Sequence, residues 1–535
     1  MFARANRSCR RSSRSAYALL SLAALAGCGG GLYASSPQRM ALYRPMPSVA
    51  PASPPEGMSV EEYEHRADNP ELQVAQAPLS TFSIDVDTAS LSNVRRFLRD
   101  GALPPADAVR IEEMVNYYRY AYREPTGDDP VAVTTEVAPS PFHQGRLIAR
   151  VGIKGRDVAA ADLPPRNLVF LVDTSGSMDE PNKLPLLQQS LAMLADQLGP
   201  RDHVAIVAYA GSAGVMLPPT SGDDRGAIRN ALSGLEAGGS TNGAGGIQLA
   251  YDLARKSFDP HGINRVILCT DGDFNVGVTD QGSLVRLIED ERRSGVYLTV
   301  LGFGMGNLKD STMEKLAAHG NGNYGYIDSL DEAKKSLGTE SAGTLVTLAK
   351  DVKVQVEFNP AQVASYRLIG YENRLLHDQD FTDDSKDAAE LGVGQTVTAL
   401  YELTPVDTAA AMAGALKYQT GRALTPAAVT DELLTVRVRY KRPAEETSRE
   451  LAAVAKPGPA RLDEASADLR FAAGVAGFGM LLRDSEYKGE LTWAGARALA
   501  ESGAGEDPRR AELVQMIDAA TRLAGGDQAV SAVAR

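Results

Sequence analysis

The sequence predicts an α/β protein in which a mainly parallel sheet is inserted into a discontinuous β-domain and followed by a helical C-terminal region. Three observations lead to this. Across residues 166–345, apolar runs at Asn167 to Val172, Val204 to Tyr209, Val266 to Thr270 and Tyr297 to Gly302 alternate with helical patterns. Strand and helix in alternation imply crossover connections and a Rossmann-like sheet covered on both faces. On either side of this region lie segments of period-two alternation, which implies sheets with one wet face packed as a sandwich. Beyond Pro457-Gly458-Pro459 the composition shifts to Ala, Leu and charge.

Taken in order, residues 1–27 carry five arginines (Arg4, Arg7, Arg10, Arg11, Arg14) and no acidic residue before the apolar stretch Ala16 to Leu25. A charged leader with so short an apolar region is a signal peptide rather than a spanning helix. It ends in Leu25-Ala26-Gly27-Cys28, which resembles a bacterial lipobox. The resemblance implies cleavage before Cys28 and acylation of its sulfur; two or three acyl chains, at roughly 0.8 kcal/mol per buried CH₂, anchor firmly. Gly29 in place of an aspartate points, by the same resemblance, to the outer membrane of a Gram-negative envelope.

Loss of the leader's five positive charges takes the formal net charge from −13 to −18. Such a surface repels nucleic acid and anionic lipid, so membrane attachment is assigned to the acyl chains. With Cys9 removed and Cys28 acylated, Cys269 remains alone in an apolar strand and is expected to be a small core residue.

Residues 28–80 are rich in Pro, Ala and Ser and are expected to be a semi-extended tether. Residues 81–128 form an N-terminal helical segment: Phe82 to Val86 alternates like a strand, Thr88 to Leu98 starts a helix, and Val109 to Tyr118 forms a second after Leu103-Pro104-Pro105. Asp85 and Asp87 offer carboxylates, but with no further ligands at a fitting spacing a capped turn is the expected reading rather than a metal site. Residues 129–165 and 346–456 supply the β-domain, with strands at Thr134 to Val137, Leu147 to Ile153, Val352 to Phe358, Val397 to Leu403 and Leu434 to Tyr440. Within 166–345, helices are expected at Leu184–Gln197, Gly226–Leu235, Ala244–Ser257 and Leu284–Arg293. Residues 460–527 give helices near Ala465–Arg483, Thr492–Glu501 and Pro508–Leu523; Gly474, Gly477 and Gly479 imply close helix packing in the first, and Trp493 is expected in the core.

The segment richest in chemistry is Asp173-Thr174-Ser175-Gly176-Ser177-Met178, which follows the apolar run Asn167 to Val172. In open α/β sheets, ligands gather beyond the carboxyl ends of such strands. Asp-x-Ser-x-Ser offers three hard oxygens on alternate residues, suited to a small divalent cation. Alone, it would more often be a turn or helix cap. Thr241, in the loop Gly238 to Gly243, and Asp271, after Val266 to Thr270, add oxygens in matching contexts. Asp271 to Gly277 superficially resembles an EF-hand loop, but Val276 and Gly282 stand where Gly and Glu are required.

Together, Asp173-x-Ser175-x-Ser177, Thr241 and Thr270-Asp271-Gly272 resemble the metal-ion-dependent adhesion site of von Willebrand factor type A domains. The resemblance implies Mg²⁺ (or Mn²⁺ or Ca²⁺) held most directly by Ser175, Ser177 and Thr241, with Asp173 and Asp271 acting largely through water and one position left for a partner's carboxylate. Residues 81–128 likewise resemble the N-terminal segment of a group of bacterial lipoproteins with this domain. No Gly-x-Ser-x-Gly elbow, Walker loop or His-Glu-x-x-His occurs, and the six histidines are scattered in sequence. The expectation is therefore a non-enzymatic, lipid-anchored envelope protein that captures an Asp or Glu of a protein partner through the metal, with Gly211–Pro219 and Phe274–Val278 setting specificity. The alternative is an assembly factor in which the metal serves stability.

Overall fold

A computed structural model describes residues 61–85, 87–240, 243–272, 281–412 and 424–533. Strands β1 (Leu72–Gln73) and β2 (Leu79–Ser83) lead into helices α1 (Ala89–Arg99) and α2 (Ile111–Asn116), then β3 (Val131–Pro139) and β4 (Leu147–Gly155). Next come β5 (Arg166–Asp173), α3 (Leu184–Ala195), β6 (His203–Tyr209), β7 (Ala213–Ser221), α4 (Arg225–Ser233), α5 (Gly243–Lys256), β8 (Ile263–Thr270), α6 (Gln281–Arg293), β9 (Tyr297–Phe303), α7 (Asp310–His319) and β10 (Tyr324–Ile327). The short helices α8 (Leu330–Ala333) and α9 (Ser341–Leu345) lead to β11 (Thr347–Phe358), β12 (Val363–Ile369), β13 (Leu391–Gly392), β14 (Thr396–Pro405), α10 (Val406–Met412), β15 (Leu434–Lys441) and β16 (Arg449–Ala455). Helices α11 (Ala467–Leu482), α12 (Trp493–Ala504) and α13 (Pro508–Val533) end the described chain.

The central sheet has the order β10-β9-β8-β5-β6-β7. Its pairings are parallel except at the edge, where β7 runs antiparallel to β6. Successive β5 residues point to opposite faces, so Leu168, Phe170 and Val172 pack with α3 and α4, while Val169 and Leu171 pack with α5, α6 and α7. A strand buried on both faces needs apolar residues at every position, which explains the unbroken run before Asp173.

Across the whole molecule the sheets are largely antiparallel. One has the order β1-β12-β14-β4-β3; the other has β13-β11-β15-β16, with β2 also on β11. Strand β4, which precedes the central sheet in sequence, pairs along its length with β14, which follows it. The two antiparallel sheets share one apolar cluster that includes Val151 and Tyr401 from the first and Val354 and Val438 from the second. Helices α1, α2, α11, α12 and α13 enclose a separate core. A Cβ on Gly474 would fall 2.6 Å from the backbone nitrogen of Ala500, so α11 and α12 meet backbone to backbone there. Trp493 lies at the edge of this core, 6.1 Å from Phe478.

Several expectations need correction. The stretch assigned to a tether up to residue 80 is packed from residue 61 onward: Glu61 pairs with Arg96, Asn69 donates to the carbonyls of Leu368 and Gly370, and β1 pairs with β12. Its polar composition hid partners that arrive from far along the chain. The strand expected at Phe82 to Val86 is β2 at Leu79–Ser83, and the second helix shortens to Ile111–Asn116. Gly211–Pro219, expected to be a loop, forms most of edge strand β7, in which Val215 and Met216 stay exposed. Strands β10, β12 and β16 and helix α7 went unanticipated. Among the described residues, no helix is long and apolar enough to cross a membrane.

Candidate functional site

Asp173 ends β5 and Asp271 follows β8, the neighbouring parallel strand, so both carboxylates emerge at the carboxyl edge of the sheet. Both are fully buried. Asp173 Oδ1 accepts from the Ser175 amide at 2.9 Å, while Oδ2 accepts from Tyr209 Oη and Thr270 Oγ1, each at 3.1 Å. Burial, reinforced by the neighbouring charge of Asp271, raises the Asp173 carboxyl above its ordinary range, and the hydrogen bonds from Ser175 and Thr270 offset part of this.

Ser175 is buried, Ser177 is exposed, and their hydroxyl oxygens lie 3.0 Å apart. The turn that carries them is clasped to the next loop by Gly176 N–H donating to the Gly239 carbonyl at 3.1 Å and Gly238 N–H donating to the Thr174 carbonyl at 2.8 Å. That loop leads toward Thr241, which lies outside the described residues, as do Cys28 and Phe274–Val278. The structure therefore brings together Asp173, Ser175, Ser177 and Asp271. Gly272 has φ +103°, and a Cβ there would fall 2.6 Å from the amide of Lys309, so the residue after Asp271 must be glycine.

One charged neighbour escaped the sequence reading. Lys183, almost fully buried, donates from Nζ to Asp271 Oδ2 at 3.1 Å and to Asn307 Oδ1 at 3.3 Å. It occupies the N-cap position of α3, where a cation faces the positive end of the helix dipole and no side-chain cap is formed. A residue that violates a local rule in this way is itself a signal of a site.

The donor set fits a small hard cation: two adjacent hydroxyls backed by two buried carboxylates at a sheet edge. Ser175 and Ser177 would hold such an ion. Asp173 and Asp271 would supply charge and orient its waters, while the ion would supply a positive pole for an anionic group.

Comparison with known proteins places this site in a family. Residues 168–273 match the model of the von Willebrand factor type A domain, residues 57–150 match that of von Willebrand factor, and residues 343–523 match that of the C-terminal part of uncharacterized protein YfbK. Uncharacterized protein YfbK of Escherichia coli (strain K12) is 44% identical over 467 residues, covering 86% of this chain and 80% of that protein. The chain belongs to the YfbK family and contains a von Willebrand factor type A domain.

A more local likeness links it to human inter-alpha-trypsin inhibitor heavy chain H4, 31% identical over 166 residues, which is 30% of this chain but only 18% of that one. Among solved structures, a von Willebrand factor type A protein from Catenulispora acidiphila aligns with 70% of this chain and 87% of its own, at 16% identity and a TM-score of 0.41.

Proposed function

We propose that this protein is a lipid-anchored, non-enzymatic binding protein of the cell envelope, whose divalent-metal site captures a carboxylate of a protein partner. The observation that carries the reading is the gathering of Asp173, Ser175, Ser177 and Asp271 at one edge of the parallel sheet. Two buried carboxylates are costly unless cations compensate them. Among the described residues Ser175 Oγ meets another hydroxyl rather than a base, which favours binding over nucleophilic catalysis. Exposed Val215 and Met216 on β7 offer apolar contact area on the same sheet. In this reading the two antiparallel sheets act as a sandwich-type frame into which the metal-binding domain is inserted, and acylated Cys28 keeps it at the membrane.

The test is calorimetric titration of Mg²⁺ and Mn²⁺ into the full chain and into Asp173→Ala. Saturable binding that the variant loses, together with partner capture from solubilised membranes that EDTA abolishes, supports the reading; capture that is unchanged in EDTA overturns it. A Cys28→Ser variant is expected to leave the membrane fraction, and its retention there would refute the anchor. The Lys183–Asp271 ion pair favours a second reading, an assembly factor whose metal is mainly stabilising. That reading predicts a large metal-dependent shift in melting temperature with the same proteins co-purifying.

A further inference from the structure

The loop between β9 and α7, residues 304–309, backs the candidate metal site. Its backbone lies directly against the residue after Asp271: a Cβ on Gly272 would fall 2.6 Å from the Lys309 nitrogen, 2.8 Å from Leu308 Cα and 3.0 Å from the Asn307 carbonyl oxygen. Asn307 Oδ1 accepts from the same Lys183 ammonium that donates to Asp271. The loop is poorly built to hold itself, however. Gly304 and Gly306 have φ +73° and +93°, and glycine restricts the backbone less than any other residue. The path of the loop therefore depends on what grips it from outside.

That grip comes from residues 61–66. Glu61 Oε1 accepts from the Gly306 amide and from Arg96 Nη1, each at 2.8 Å, while Oε2 accepts from Arg96 Nη2 and Tyr63 Oη, each at 2.9 Å. One carboxylate thus ties the loop to α1. Burial works against its charge, but the bonds from Arg96 and Gly306 outweigh it and hold the Glu61 carboxyl below its ordinary range, so the clasp is charged at neutral pH. Next along the strap, Glu62 N–H donates to the Leu308 carbonyl at 3.0 Å, Glu62 and Lys309 form a parallel bridge, and the Glu62 carboxylate meets Lys309 Nζ at 2.8 Å. Tyr63 packs against the core of the central sheet, and Arg66 reaches Glu314 of α7 at 2.8 Å.

We propose that Glu61 and Glu62 are positioning residues of the metal site, gripping residues 304–309 so that the loop holds Asp271 and the Lys183 ammonium in place. The inference rests on the proposed metal reading and adds to it a strap from more than 200 residues away in sequence. With the strap released, the loop no longer braces Gly272, and Lys183 loses Asn307 as a second acceptor, so its ammonium is held more closely to Asp271. Both changes disfavour a divalent ion: Asp271 loses its fixed place and keeps more of a competing cation. Groups that orient metal ligands from behind are typically worth about tenfold or more in affinity.

The test compares the full wild-type chain with Glu61→Ala, with the double variant Glu61→Met and Arg96→Met, and with Glu64→Gln. The Glu61 and Arg96 side chains are 6% and 10% exposed, so the double variant removes both buried charges together and leaves no guanidinium unpaired. Glu64 lies on the same strap but faces Arg66 and Lys315 of α7, each at 3.4 Å, and serves as the control. Two quantities are measured: Mg²⁺ affinity by calorimetry, and amide hydrogen exchange over residues 270–272, where Gly272 N–H donates to Thr270 Oγ1 at 3.2 Å. Both Glu61 variants are expected to bind Mg²⁺ about tenfold more weakly and to exchange faster over residues 270–272, with exchange in α11 unchanged; Glu64→Gln is expected to match the wild type. A merely structural role would lower melting temperature and move neither quantity. Wild-type binding with Mg²⁺ affinity unchanged in both Glu61 variants overturns the inference alone, as does unchanged exchange over residues 270–272. A wild type that binds no Mg²⁺ overturns the metal reading and this inference with it.

Discussion

Lys183 holds an ammonium 3.1 Å from an oxygen of Asp271 at the candidate metal site. Its stem runs against Gly304, where a Cβ would fall 2.3 Å from Lys183 Cε, so only glycine lets it pass. A like charge a few ångströms from a divalent ion opposes binding by at least about 1 kcal/mol even at an intermediate effective dielectric. Replacing Lys183 by Met is therefore expected to tighten Mg²⁺ about tenfold in calorimetric titration. It is also expected to lower melting temperature in EDTA, because a buried carboxylate loses its ammonium partner. Unchanged Mg²⁺ affinity would make Lys183 a packing residue only. The carboxylates and serines of this site were legible in the sequence because they sit at fixed short spacings beside recognisable strands. Lys183 was not, because its meeting with Asp271, 88 residues later, is made by the fold.

At the scale of the element, α11 shows how composition carries packing. It is apolar nearly all round and buried from Leu469 to Met480 apart from Arg470, so its glycines serve contact rather than chain reversal. Gly474→Ala sets a helix-propensity gain of about 1 kcal/mol against a Cβ placed 2.6 Å from the Ala500 nitrogen. Since the obstacle is backbone of α12 and cannot swing aside, overpacking of about 1–3 kcal/mol wins. Urea unfolding is expected to show a net loss of about 1–2 kcal/mol, and a gain would mean the helices shift apart at little cost. Period and composition located α11 in the sequence to within two residues at its start. Edge strand β7 was missed because Gly211, Gly214, Pro218 and Pro219 signal a turn; an edge tolerates them, since its outer side owes no hydrogen bonds. Asp85 and Asp87 do form a turn, Asp87 N–H donating to Asp85 Oδ1 at 2.8 Å, and Arg374 completes it from across the fold.

At the scale of the whole molecule, one ion network ties three regions together. Arg95 of α1 pairs with Asp328 before α8 and with Glu332 in α8, each at 2.7 Å, and with Glu512 of α13 at 3.4 Å. Burial works against the Glu332 charge, but Lys335, Arg95 and a hydrogen bond from Tyr117 outweigh it and hold its carboxyl down at about 2. A carboxyl depressed on folding contributes stability above its unfolded pKa of about 4.3, and that contribution fades as pH falls toward the folded value. Acid unfolding is therefore expected to steepen between about pH 4 and 2. Glu332→Gln should cost on the order of 3 kcal/mol at pH 7 and progressively less below pH 4, as measured by chemical denaturation at several pH values. A pH-independent loss would assign the effect to packing. None of this network was visible in the sequence, since Arg95 lies more than 200 residues from each of its carboxylate partners and shares no local pattern with them.

The chain enters the parallel sheet from β4 and leaves it toward β11, and each of these strands lies in the interior of a different antiparallel sheet. Mechanical tension on anything held at the carboxyl edge of the central sheet would thus divide between two covalent crossings. To give way, either strand must break hydrogen-bonded neighbours on both of its sides, β14 and β3 for the first, β15 together with β2 and β13 for the second. A domain joined to its frame in this manner resists being peeled off under load, whereas one hung from a single linker would swing freely about it.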